Sequence, residues 1–202
     1  MRIYVFIALA LLSLTCGAYL DRSGVFALDA GMGSSLDVFG RVFGEAYRQE
    51  WAFHGSLSYG LNEHFSLSAR ATSLAQKPKD EVVLKLQQGR DQGDLNPDLD
   101  FDPDYNQMDY SLAAKYHFNV GGIYAPLVEL GGGYSNIYFK GENISKPFAC
   151  AGLGHEFFIR PNLALEILGD GHIFFFQVKP LLMDKSHNLF LLGATIAMRW
   201  YL

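Results

Sequence analysis

Four aspartates, Asp98, Asp100, Asp102 and Asp104, alternate with other residues in the stretch NPDLDFDPDYN. Calcium takes several carboxylate oxygens, and Asp-x-Asp-x-Asp is how many calcium loops begin, so calcium is the cofactor this run suggests; nothing else in the chain suggests one. Asp109 falls where a twelfth-position ligand would lie. Against calcium, Pro103 stands where such a loop needs glycine for its sharp turn, and Asp109 fits equally well as an inward residue of a following strand. The alternative is a solvated acidic loop that repels neighbouring anions or gathers divalent ions loosely. A second set of residues comprises Asp29, Glu129, Glu156 and Glu166, with Arg70, Lys115 and Arg199 and the histidines His54 and His117. All of these fall on the polar side of alternating segments, where they would either line a conducting path or pair with one another. A third set, Ser186-His187 with His172, all read as part of the last loop, is the nearest approach to a nucleophile and its base. Adjacency in sequence does not make a dyad, and the expectation is that the protein is not an enzyme.

The elements that must position these residues are strands. In WAFHGSLSYGLNEHFSLSARATSL, residues 51–74, Trp51, Phe53, Gly55, Leu57, Tyr59 and Leu61 alternate with Ala52, His54, Ser56, Ser58 and Gly60. After a turn at Asn62, Glu63 and His64, Phe65, Leu67, Ala69 and Ala71 alternate with Ser66, Ser68, Arg70 and Thr72. Successive side chains of a strand point to opposite faces, so this is a hairpin with one apolar and one polar face. The same period predicts strands over residues 25–33, 108–118, 124–138, 148–158, 163–167 with Asp170 at its far end, and 190–202. Gly152, Gly154 and Glu156 are assigned to the polar face of the sixth strand. Residues 34–50, 75–107 and 140–147 read as loops; the second strand begins at Trp51 or as early as Tyr47. Pro78, Pro97 and Pro103 argue against a strand in the longest of these loops. The apolar run Ile173–Phe176 either extends the seventh strand or belongs to the last loop.

The first 18 residues, MRIYVFIALALLSLTCGA, have a basic residue, an apolar run and a small-residue end. That order is the order of a secretory signal peptide, and the apolar run is too short to cross a bilayer as a helix. Residues 1–18 are therefore expected to be removed after Ala18, leaving residues 19–202 as one domain. Cys16 raises lipidation as an alternative, but Ser13 and Thr15 stand where such a signal usually has leucine and a small residue. Cleavage leaves Cys150 as the sole cysteine, so no intramolecular disulfide is expected. It also leaves 15 basic residues against 21 acidic, a net charge of −6, which argues against a nucleic-acid partner.

Eight strands have seven connections, and in order these read long, short, long, short, medium, short, long. In an antiparallel barrel alternate connections share a side, so the short ones near Asn62, Gly121 and Pro161 lie together. Short turns on one side, longer loops on the other, an even strand number and strands of about 9 to 11 residues describe a transmembrane β-barrel. The predicted fold is all-β: an eight-stranded, antiparallel, up-and-down barrel closed so that no sheet edge meets lipid. A barrel of this size is only wide enough for side chains to fill, which favours mutual pairing of the inward charges over a conducting path.

The turn Gly60-Leu61-Asn62-Glu63-His64-Phe65-Ser66-Leu67, the run Gly131-Gly132-Gly133-Tyr134, the stretch Gly152-Leu153-Gly154-His155-Glu156-Phe157 followed by Pro161-Asn162-Leu163-Ala164-Leu165-Glu166, and the alternating last strand resemble small outer-membrane barrels of the OmpA/OmpX/OmpW-like kind. The resemblance implies a bacterial outer-membrane location, contact with outer-membrane lipids and lipopolysaccharide, and a monomer. The last strand resembles the signal read by the barrel insertion machinery, although it ends in Leu202 where an aromatic is typical. The chain is expected to end at the barrel, without the soluble peptidoglycan-binding domain of full-length OmpA-type proteins. The role implied is structural or surface-interacting through the external loops. The alternatives are a narrow, porin-like pore or small-hydrophobe transporter of the OmpW-like sort, and a lipid-active enzyme. The His-x-Ser-Asn arrangement of the lipid A deacylase family does not occur.

Overall fold

The computed structural model describes residues 21–37, 51–77, 80, 84, 105–119, 123–139, 142–178 and 187–202. Eight strands follow one another: β1 Phe26–Asp37, β2 Trp51–Gly60, β3 Phe65–Gln76, β4 Tyr105–His117, β5 Tyr124–Phe139, β6 Glu142–Arg160, β7 Leu163–Val178 and β8 His187–Tyr201. Each pairs with its sequence neighbour, and β1 pairs with β8, so the sheet closes into an antiparallel up-and-down barrel. Closure removes the sheet edges whose unpaired N–H and C=O groups could find no partner in hydrocarbon.

The period of two decides which side chains go where. In β2 burial alternates without exception: Ala52, His54, Ser56, Ser58 and Gly60 are buried, and Trp51, Phe53, Leu57 and Tyr59 exposed. The outer wall of the barrel is apolar, with Leu28, Leu67, Leu112, Leu130, Leu153, Ile167 and Ile196 all exposed. Leu112 is 72% exposed and Leu153 69%. A band of this extent is disfavoured in water and suited to lipid. At the end holding the short turns, Phe26 packs on Tyr59 with ring centroids 4.8 Å apart, and Tyr116 packs on Phe65 at 4.8 Å and Phe118 at 4.9 Å. Trp51, Phe53, Tyr134, Tyr138 and Phe175 are exposed toward the other end. Two such levels correspond to the interfacial girdles of a membrane barrel.

Several strands run further than their sequence periods predict. β1 continues through Leu36 and Asp37, β7 takes in Ile173–Phe176, and β4 begins at Tyr105. The largest difference is at residues 140–147, read as a loop. Only residues 140 and 141 separate β5 from β6, and Pro147 lies in β6 opposite Tyr134. A proline is tolerated there because, among the described residues, the β6–β7 ladder starts only at Phe148 opposite Phe174. Pro147 thus sits on a stretch with a neighbour on one side. β6 has 19 residues, about 44 Å along the axis at ~3.3 Å per residue and ~45° tilt, against an apolar band of ~25 Å. The β5–β6 hairpin therefore stands clear of the band. The alternative start of β2 at Tyr47 and the expected signal segment, residues 1–18, lie outside the described residues.

Candidate functional site

The barrel interior is a column of charges, built because every second residue of each strand points inward. Asp29, His54, Lys115, His117, Glu129, Glu156, Glu166 and Arg199 are buried, and the Arg70 side chain is 9% exposed. Buried charges are tolerated when opposite charges and hydrogen bonds offset their desolvation, and the contacts supply both.

In the middle of the column Arg199 reaches Asp29 with Nε to Oδ1 at 2.6 Å and Nη2 to Oδ2 at 2.8 Å. The same Nη2 lies 2.7 Å from Oε2 of Glu166. Lys115 Nζ donates to both Glu166 oxygens, at 2.8 and 2.9 Å, and lies 3.4 Å from Glu129. Arg70 Nη2 donates to Glu129 at 2.7 Å. Ser56 donates to Asp29. The members come from β1, β2, β3, β4, β5, β7 and β8; Lys115–Glu166 and Arg70–Glu129 tie strands that are not neighbours, and the other pairs join adjacent strands.

At the end holding the short turns the column is finished by a residue outside the strands. Arg22, 3% exposed, sends Nη2 to Glu156 at 2.7 Å, lies 3.4 Å from the Tyr201 hydroxyl through Nε, and sits over the Phe158 ring. Tyr201 donates to Glu156, and Arg199 Nη1 is 3.5 Å from the same carboxylate. The Arg22 backbone lies against Gly60: a Cβ built there would be 1.8 Å from the Arg22 carbonyl oxygen. Gly24 N–H donates to Gly60 O at 2.8 Å, and Gly24 has φ 73°, a conformation that favours glycine. Just before Arg22, the exposed Asp21 carboxylate accepts from the Ser23 side chain and from the Ser23 N–H at 2.9 Å, which hold it below the usual carboxylate range. The segment 21–25 thus caps one mouth of the barrel. Arg22→Ala is expected to lower stability by about 1.5 to 3 kcal/mol, the range for hydrogen bonds to charged groups. The urea midpoint of the folded gel band measures it, and an unchanged midpoint would mean the cap contributes nothing.

Toward the other end, His172 lies between two carboxylates, with Nε2 2.9 Å from Asp170 and Nδ1 3.7 Å from Asp109. Gln107 donates to both oxygens of Asp109 at 2.7 Å. The His172 ring stacks on Phe148 at 5.0 Å and 11°. Phe148 also packs on the inward Phe174 at 5.4 Å. Asp170 occupies a niche between two glycines, with Gly152 and Gly193 as its cross-strand partners. A Cβ on Gly193 would be 2.4 Å from Asp170 Oδ1.

This places the residues singled out from sequence. The nine of the polar set share one interior. His172 belongs to β7 and to the same column, not to the last loop; Ser186 lies outside the described residues, as do Asp98, Asp100, Asp102 and Asp104. Asp109 faces inward and is engaged by Gln107 and His172. Cys150 is buried with a free thiol. Arg22, Gln107 and Tyr201 were not singled out. Parity along β4 and β8 would have found the latter two, whereas Arg22 precedes all alternation and gives no signal.

This is the fold of the small eight-stranded outer-membrane β-barrels of the OmpA/OmpX/OmpW kind. The structure is similar to Neisserial surface protein A, with a TM-score of 0.55 and 12% identity over 87% of this chain and 95% of that one. It is similar too to the outer membrane protein OprG from Pseudomonas aeruginosa, at 0.55 and 10% over 91% and 98%. No protein-family model matches the sequence, and no curated protein matches it.

Proposed function

We propose that this chain is a monomeric outer-membrane barrel, exported by a cleaved signal peptide, that acts as a structural or surface-interacting protein through what it displays outside the membrane. One observation carries the reading: the interior is closed by mutually paired charges while the display side carries the tip of the β5–β6 hairpin, whose strands have 16 and 19 residues. A lumen occupied by Arg199, Lys115, Arg70 and their carboxylates has these charges paired with one another. The wall supports lipid contact, and the last strand supports delivery by the barrel insertion machinery. On this reading the external contacts are made by the β5–β6 tip and residues 77–104, with lipopolysaccharide as the immediate neighbour and no catalytic chemistry or bound cofactor.

The test is outer-membrane fractionation, gel electrophoresis with and without boiling, and planar-bilayer recording of the refolded chain. The expected result is a heat-shifted band in the outer membrane and no steady conductance. A stable open channel in the wild type would replace this reading with that of a narrow pore. A soluble periplasmic protein without a heat shift would remove the membrane reading altogether.

A further inference from the structure

The cap over the short-turn mouth has two halves that differ in when they can form. The backbone half belongs to one hairpin. Gly24 N–H donates to Gly60 O at 2.8 Å and Gly60 N–H donates to Val25 O at 3.0 Å, which continues the β1–β2 ladder past Phe26 and Tyr59. Strands β1 and β2 are consecutive, so this half needs no other part of the barrel. The side-chain half does. Arg22 donates to Glu156 of β6 at 2.7 Å, lies over the Phe158 ring of β6 at 5.2 Å, and stands 3.4 Å from the Tyr201 hydroxyl of β8. Glu156 is 134 residues away along the chain and Tyr201 is 179. In a sheet not yet closed, β6 and β8 stand five and seven strand spacings from β1, about 24 and 34 Å in all. Gly24 is fixed to β2 and Arg22 lies only two residues before it, too short a length of chain for its guanidinium to cross that distance. Closure sets Tyr201 opposite Ala27, and Val25 and Phe158 pack on the cluster of Ala27, Ala164 and Tyr201. The seat of Arg22 therefore exists only in the closed barrel.

We propose that Arg22 is a latch that seats after β1 has met β8 and holds the closed barrel shut, slowing its unfolding without setting the speed of its folding. The meeting of the first and last strands carries the largest loop-closure cost, so the folding barrier lies at or before that step and the latch forms beyond it. A contact absent from the transition state appears in the unfolding rate alone. Two features suit the seat to its task. Glu156 is fully buried, and with Arg22 gone its nearest arginine or lysine nitrogen is Arg199 Nη1 at 3.5 Å, so leaving the seat weakens the pairing of a buried carboxylate. Gly60 supplies the room: the three atoms nearest to a Cβ built there all belong to Arg22, its carbonyl oxygen at 1.8 Å, its carbonyl carbon at 2.7 Å and its Cβ at 3.3 Å. Parting of the β1–β8 seam from the short-turn end thus requires Arg22 to release Glu156 and Tyr201 first.

The test follows the heat-shifted gel band of the full chain in phosphatidylcholine vesicles against time, once after a jump into urea and once during refolding out of urea. The shift of the wild-type band checks the barrel itself, and the two rates check the latch, so failure of one is told apart from failure of the other. Arg22→Ala is expected to unfold about tenfold faster or more, having lost hydrogen bonds to charged groups, and to refold within about twofold of the wild-type rate. Gly60→Ala displaces the same residue while keeping every charge, is expected to show the same split, and decides the matter if Arg22→Ala gives no folded band. A refolding rate that falls by as much as the unfolding rate rises would put the contact before closure and overturn the proposal. An unfolding rate that stays at the wild-type value would overturn it equally, since nothing would then be held.

Discussion

Arg199→Ala is expected to lower the unfolding free energy by about 3 to 5 kcal/mol, because it strands one buried partner, Asp29, whose ion pair is with Arg199. Asp29 loses both of its guanidinium bonds and keeps only Ser56; Glu166 keeps Lys115; Glu156 keeps Arg22. The damage therefore concentrates on Asp29, 6% exposed and opposite Arg199 across the β1–β8 pair. Removing both members as Asp29→Ala with Arg199→Ala is expected to cost less than the sum of the single changes, since no lone charge is left at the pair. Urea titration of the folded band across wild type, two single variants and the double variant measures the coupling. Additive losses would mean the two residues do not act as a pair. Conductance is expected to stay absent in all four, because Arg70, Glu129 and Lys115 remain across the interior.

The second large effect concerns backbone contact. At Gly133 a Cβ would lie 1.9 Å from the Tyr110 carbonyl oxygen and 2.8 Å from the Ser111 Cα. The obstacle is backbone, which cannot rotate away, so Gly133→Val must push β4 and β5 apart at their paired residues. Overpacking of this kind is expected to cost about 3 kcal/mol, the upper part of its usual range. Gly169→Ala provides the contrast: its nearest neighbour would be 3.8 Å away on the exposed wall, and its effect is expected to stay within ~0.5 kcal/mol. Equal losses at the two positions would remove close approach as the reason for glycine at Gly133.

Strand identity and facing were legible in the sequence because lipid outside and a polar interior impose opposite demands on successive residues. The pattern 53, 55, 57 against 54, 56, 58 records that demand directly, as does Lys115 between Ala114 and Tyr116. Strand ends were less legible where the demand lapses. Above the apolar band the outward positions of the β5–β6 hairpin meet water, so Asn143 and Ser145 are exposed and polar and, beside Lys146, read as loop. Within the interior the set of charged residues could be read from parity, but not who pairs with whom. Register links Arg199 to Asp29, while Lys115 meets Glu166 between β4 and β7, which are not neighbours, and Arg22 reaches Glu156 of β6 from the segment before β1. His172 was misplaced because Ile173–Phe176 hides the alternation: Phe174 faces inward and packs on Phe148, so an apolar residue occupies a polar-face position.

The Asp29–Arg199 pair joins the first strand to the last, the two most distant in sequence, whose meeting carries the largest loop-closure cost. A slip of one residue at this seam would turn every side chain of a strand to the wrong face, and the apolar pattern alone forbids it. A slip of two residues preserves the pattern, and hydrophobicity cannot detect it. It would set Arg199 opposite Ala27 or Gly31 and leave Asp29 alone in the interior. The ion pair therefore works as a proofreading contact: it distinguishes the correct closure of the barrel from the one error that the membrane itself would accept.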